Sequence, residues 1–216
     1  MYRTLLLDVD GVLLRDRLLA EHMKENIVQY VQRKVPTTKD PKKLNQALYY
    51  RYGHTAKGLS HVFDVDTRDF NRHVFNKQLI DHLWYVIMGN EFQKDASIIH
   101  RMSRNHDVML FSNAPLLWSM PVAQAIGNVT VYENEFMKPD LRAYTRLAQN
   151  KRYMFVDDTL ANLKPVRTLS NWFPVHFNNS TYITNGEFPV VRDLFDVETL
   201  FNNRFVWSEH PSGFDR

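Results

Sequence analysis

The chain has 216 residues, 44% of them hydrophobic and 24% charged, which fits one soluble domain or a core with a sizeable insertion. With 27 basic against 24 acidic residues the formal charge is only +3, too weak a bias for a nucleic-acid surface but compatible with a small anionic substrate. There is no cysteine, which excludes disulfides, thiolate metal sites and cysteine nucleophiles and sits well with a reducing compartment.

In chain order, the apolar run Leu5-Leu6-Leu7 predicts a short buried strand over about 3–8. Leu19, Met23, Ile27, Val31 and Val35 form an i, i+4 stripe and predict an amphipathic helix over 18–35, broken by Thr37 to Pro41. A second helical stretch places Leu44, Ala47, Leu48 and Tyr52 on one face and stops at Gly53. Residues 66–78 read as a third helix, opened by Asp66 or Thr67 and presenting Phe70 and Val74. Almost nothing between 15 and 95 reads as a strand.

From there strand and helix alternate. Ile98, Ile99 and Met102 mark a helix, and Val108 to Phe111 a strand. A helix ending at Gly127 leads into a strand over Val129 to Tyr132, and Leu141, Tyr144, Leu147 and Ala148 make the next helix. Tyr153 to Val156 are a strand, a helix with Pro165 near its start follows, and Trp172 to Phe177 give the last strand. This spacing predicts βα units on a parallel sheet. The expected fold is therefore a three-layer, Rossmann-like α/β core over 1–14 and 95–205. A helical cap over 15–94 is inserted in it, the region after about 180 is irregular, and 206–216 form a loose tail. No apolar run approaches the roughly 20 residues of a membrane span. No charged-then-apolar leader precedes the first strand, so a soluble, cytoplasmic protein is expected.

Chemistry concentrates at the predicted strand ends. Asp8 and Asp10 follow the first strand, two residues apart, and side chains at i and i+2 of an extended segment point the same way. Two acids held together repel unless a divalent cation or a proton neutralises one of them. The pair fits a metal-assisted acid and nucleophile, or else a polar strand end before a glycine turn. Ser112-Asn113, Lys138-Pro139-Asp140 and Asp157-Asp158, with Asn162 four residues on, sit just past later strands. In a parallel sheet those ends share one edge, so the four clusters can converge there. Each alone reads more often as a helix cap or turn.

The ordered set DVDGVL, FSNA, KPD and VDD-TLAN resembles the four motifs of the haloacid dehalogenase (HAD) superfamily, across about 1–14 and 95–178. The helical block lies where members of that superfamily carry a cap. Within it, Leu48-Tyr49-Tyr50-Arg51-Tyr52-Gly53, then Lys57-Gly58-Leu59 and Asp69-Phe70-Asn71-Arg72, resemble the cap of the pyrimidine 5′-nucleotidase-type branch, with one residue fewer before the Tyr-Gly pair.

The resemblance implies a phosphomonoester hydrolase using Mg²⁺. Asp8 is then the nucleophile that forms an aspartyl-phosphate, and Asp10 the acid and base. An acid two positions after the nucleophile is similar to the phosphatase members, and dehalogenases of the superfamily lack it. Ser112 and Asn113 would hold the phosphoryl group, Asn113 by orienting it or Asp10, and Lys138 would stabilise the transition state. Asp8, the carbonyl of Asp10 and Asp158 would ligate the metal, with Asp157 behind them, although the sequence leaves open which of Asp157 and Asp158 binds directly. Arg51, Tyr52, His54 and Lys57 are the cap residues expected to contact a base or ribose. The expected substrate is a small phosphorylated metabolite, a nucleoside 5′-monophosphate first. Phosphoglycolate, a sugar phosphate or a mutase reaction are the alternatives.

Overall fold

A computed structural model describes residues 3–147, 149–180 and 186–203 of the chain. Strand β1 (Arg3–Leu7) is followed by five helices: α1 (Arg17–Lys34), α2 (Pro41–Tyr52), α3 (Thr55–Phe63), α4 (Thr67–Val74) and α5 (Lys77–Ile87). The alternating part comprises α6 (Asn90–Ser103), β2 (Asp107–Leu110), α7 (Leu116–Ile126), β3 (Thr130–Val131), α8 (Leu141–Thr145) and β4 (Arg152–Asp157). It closes with α9 (Leu160–Leu163), a 3₁₀ turn at Lys164–Thr168, β5 (Trp172–Phe177), β6 (Val190–Val191) and α10 (Leu194–Asn202).

The six strands form one parallel sheet in the order β3-β2-β1-β4-β5-β6. A parallel sheet covered on both faces needs strands that are apolar throughout, which is how β1 and β4 read. Their side chains alternate between two cores. Leu5, Leu7, Met154 and Val156 join the larger one, which continues into the inserted helices and includes residues of α6, α7 and α10. Leu6, Tyr153 and Phe155 face the smaller one, with Tyr144, Leu163 and Trp172. The chain runs outward from β1 to β3 and then returns to β4, so the order reverses between β1 and β4. A crevice opens at the carboxyl ends of such neighbours.

Five helices occupy the stretch expected to be helical, where three were predicted. The expected 66–78 helix is two, because the Asn76 side chain accepts from Leu79 N at 3.0 Å and caps a new helix there. The short α3 escapes the periodicity reading because Gly58 interrupts its apolar stripe. A Cβ at Gly58 would meet Leu48 Cβ at 2.9 Å and Tyr52 Cδ2 at 3.0 Å, so the glycine lets α3 close on α2. Beyond 180 the irregular expectation fails. β6 extends the sheet past β5, and α10 is capped by Asp193, which accepts from Asp196 N at 2.8 Å. Ala148 and the tail 206–216 lie outside the described residues. Among those described, no helix is long and apolar enough to cross a membrane.

Candidate active site

β1 ends at Leu7, and the next residues curl into a tight loop in which the Leu13 and Leu14 N–H groups donate to Val9 O at 3.0 and 2.8 Å. Gly11 takes φ +82 there, and a Cβ would lie 2.1 Å from Asp158 Oδ2. Only glycine allows this loop to lie against the end of β4.

The buried Asp8 side chain accepts through Oδ1 from Val9 N at 2.8 Å, and the same oxygen lies 3.0 Å from Lys138 Nζ. Lys138 is 1% exposed, and its ammonium also donates to Asp157 Oδ2 and Phe111 O, each at 2.7 Å. The Phe111 and Phe155 rings lie 5.3 and 5.2 Å from Nζ. Burial opposes the charge on Lys138, but Asp157 and Asp8 outweigh it and hold the ammonium above its usual pKa. Burial pushes the Asp8 carboxyl well up. Lys138 pulls it back, and Asp157, Asp10 and Asp158 push it further. One lysine shared among crowded acids stays charged, and the acids carry the electrostatic cost.

Asp157 is saturated by protein donors. It accepts from Lys138, from Thr159 N at 2.8 Å and, through both oxygens, from Asn162 Nδ2 at 3.1 Å. Asp158 stands at the rim, in contact with Thr159 Oγ1 at 3.2 Å, and its carboxyl is raised to about 6 by burial and by Asp157. Carboxylate oxygens of Asp8, Asp157 and Asp158 lie within 4.8 Å of one another. An all-oxygen set with a single buried cation among several carboxylates suits a hard divalent ion such as Mg²⁺.

Asp10 accepts through Oδ1 from Trp118 Nε1 at 2.9 Å, and burial raises its carboxyl to about 6 against the pull of Trp118 and Lys138. Ser112 Oγ accepts from Ala114 N at 3.0 Å, in the turn before α7. Asn113 departs from expectation. Its Nδ2 donates to Lys138 O at 2.9 Å and its Oδ1 accepts from Lys138 N at 2.8 Å. The amide is therefore spent on clamping the lysine loop rather than on Asp10 or a phosphoryl group.

The inserted helices meet this edge through α2. A Cβ at Gly53, where φ is +75, would lie 2.5 Å from Pro139 Cδ, so the end of α2 rests on the lysine loop. Tyr49 is half exposed on α2, and its hydroxyl pKa is raised by partial burial and by Asp158, Asp157 and Asp8. The four expected cap residues are placed otherwise. Arg51 is exposed over the Tyr52 ring, and Tyr52 packs on His61 with ring centroids 5.2 Å apart. Lys57 lies 3.9 Å from Asp140 and lines a cleft of about 460 Å³, whose lining includes His61, Thr67, Phe136 and Arg142 but none of Asp8, Asp10 and Asp158.

His54 caps α3, its Nδ1 accepting from Ala56 N at 3.2 Å, and burial lowers its pKa to about 4. A folded-state pKa below the unfolded one means that this group's stability is full above about pH 6.5 and is lost as pH falls toward 4. Wild type should therefore lose about 2 kcal/mol more than His54→Asn between pH 7 and pH 5, read by denaturant titration. Asn keeps the cap without the titration; equal slopes would show that His54 is not held neutral by the fold.

The sequence reading missed Trp118 and Tyr49 as site residues. A tryptophan six residues past Ser112, on the first turns of a helix leaving the sheet edge, was the available signal for the first, since a buried indole N–H seeks an acceptor.

No protein-family model matches this chain, and no curated protein matches it in sequence. Solved structures do. A HAD phosphatase from Thermococcus onnurineus superposes with TM-score 0.60 at 13% identity, covering 93% of this chain and 98% of that one. CbbY from Rhodobacter sphaeroides, in complex with phosphate, gives TM-score 0.58 at 12% identity over 89% and 95%. An L-2-haloacid dehalogenase from Xanthobacter autotrophicus gives 0.53 at 10% over 94% and 100%. Phosphatase and dehalogenase thus share this backbone, and at such identities the likeness speaks for architecture alone. The chain has the HAD-type α/β fold, a six-stranded parallel Rossmann-like sheet between helical layers.

Proposed function

We propose that this protein is a Mg²⁺-dependent phosphomonoester hydrolase of the HAD superfamily, acting through an aspartyl-phosphate on Asp8. The observation that carries the reading is the second acid. Asp10 sits beside Asp8 with its carboxyl raised toward neutral pH, which a general acid and base for ester cleavage requires and halide displacement does not.

Oδ1 of Asp8 is held by Val9 N–H and Lys138, leaving Oδ2 to attack phosphorus. As that bond forms, the ester P–O bond breaks and Asp10 gives its proton to the departing oxygen. Asp10 then takes a proton from water as the water oxygen attacks phosphorus and the bond to Asp8 breaks. Lys138, Ser112 and nearby backbone N–H groups stabilise the phosphoryl oxygens. Asp8, the Asp10 carbonyl and Asp158 would hold the cation, which supplies neutralising charge for anion meeting anion. Asp157, already saturated, anchors Lys138.

For the organic half of the substrate we place nucleoside 5′-monophosphates first, pyrimidine ones leading. Tyr49, half exposed on α2, is an aromatic whose hydroxyl is influenced by Asp158, Asp157 and Asp8, and an aromatic face suits a base. The Gly53, Gly58 and Leu59 positions of the cap pattern serve packing instead. Phosphate release from nucleoside monophosphates, sugar phosphates and phosphoglycolate, with Mg²⁺ and with chelator, is the test. Mg²⁺-dependent turnover led by UMP or CMP is expected. A lead by another ester would retire the nucleotide assignment, and no release from any ester would retire the hydrolase.

A further inference from the structure

Trp118 is fully buried in α7, 108 residues from Asp10 in the chain, yet its indole N–H donates to the Asp10 carboxylate at 2.9 Å. Such pairing is not automatic in this core. The indole of Trp172 is also buried, and its N–H has no hydrogen-bond partner among the described residues. An indole N–H only donates. The Asp10 oxygen it binds, Oδ1, must therefore present a lone pair, and the better acceptor is the unprotonated oxygen, so the contact favours Oδ2 as the oxygen left for other partners.

The ring is itself held from the inserted helices. Phe75, at the α4–α5 junction, packs edge-on against it with centroids 5.4 Å apart, and α5 lies along α7. Phe75 is the C-cap of α4 and is followed directly by Asn76, the extended N-cap of α5, so the junction of the two helices fixes where its ring lies.

We infer that Trp118 is a positioning residue: seated by Phe75, it holds Asp10 through Oδ1 and so fixes the rotamer that turns Oδ2 toward the leaving oxygen. The inference rests on the phosphatase reading above. It adds that the orientation of the acid depends on the seating of the inserted helices, through one aromatic pair.

The test has two independent readouts. The first is structural: in protein carrying ¹⁵N-labelled tryptophan, the resonance lost in Trp118→Phe identifies the indole N–H. Asp10→Asn should shift that resonance and leave the other indoles in place. An unmoved signal would overturn the contact, whatever the enzyme does.

The second is kinetic and uses leaving groups. p-Nitrophenyl phosphate expels an anion that needs no proton, whereas an alkyl phosphate does. Trp118→Phe should keep kcat/KM for the aryl ester within about twofold and lose about tenfold or more for the alkyl ester, a share of the factor a general acid supplies. Phe75→Leu should show the same split more weakly. Equal losses on both esters in Trp118→Phe would mean a structural role only and overturn the proposal. A wild-type protein that cleaves neither ester would sink the phosphatase reading and the role with it, while the resonance would still report on the contact.

Discussion

Replacing Asp8 by Asn should abolish phosphate release, to below about one part in a thousand, while the melting temperature stays the same or rises. The chemical loss follows because an amide oxygen is too poor a nucleophile to form the acyl-phosphate, so the two-step route closes. The stability expectation comes from the site's electrostatics. Burial and three neighbouring carboxylates raise Asp8 more than Lys138 lowers it, so a neutral side chain of the same shape relieves repulsion. Lys138 keeps Asp157 as its counter-ion. Turnover and a thermal melt on the same preparation decide the matter. Activity above about 1% of wild type would remove Asp8 as nucleophile, and a much lower melting point would show that its carboxylate stabilises the fold.

Lys138→Met should do the opposite to stability. The ammonium is the cation that Asp8 and Asp157 share inside the protein, and removing one member of a buried ion pair costs about 3–5 kcal/mol. Activity should fall at least about 10²-fold, as when a preorganised charge at an oxyanion is deleted. Part of the lost stability should return at pH 5, because Asp8 can then take up a proton and a neutral acid needs no partner. Denaturant midpoints at pH 7 and pH 5 would show this. A variant as stable as wild type at pH 7 would mean that solvent or a bound cation, not Lys138, balances these acids.

These two substitutions concern residues that are readable from spacing alone, and their contrast is not. Leu5-Leu6-Leu7 followed by Asp8 and Asp10 marks a strand end whichever way the chain then folds, because alternation and apolar runs are local properties. The parallel arrangement is legible too. Strands separated by helices must enter the sheet in one direction, so the residues after each of them reach a common edge. By the same logic the sequence alone places Ser112, Lys138 and Asp157 near Asp8. The break at Asn76 was also local, an asparagine cap inside a run that otherwise reads as one helix. It was hidden by the apolar stripe on either side.

Roles depended on partners far away in the chain. Asn113 and Ser112 look interchangeable as polar turn residues. Yet one amide closes on Lys138, 25 residues on, while the hydroxyl beside it caps its own turn. Asp157 and Asp158 are adjacent and chemically identical, but Asn162, Thr159 and Lys138 consume the first and leave the second at the rim. Arg51, Tyr52, His54 and Lys57 carry the polar and aromatic groups a cap reader looks for. The packing of α2 on α3 gives Tyr52 and His54 structural contacts, to the His61 ring and to the Ala56 N–H, while Tyr49 stays half exposed.

The sequence by itself determined five of the six described strands, the helical insertion and the polar clusters at the strand ends, since each is written in the period of a few neighbouring residues. The tertiary structure alone decided which donor meets which acceptor, including Trp118 on Asp10. A hydrogen bond is fixed within a few tenths of an ångström by how whole helices seat on the sheet, and no spacing along the chain encodes that seating.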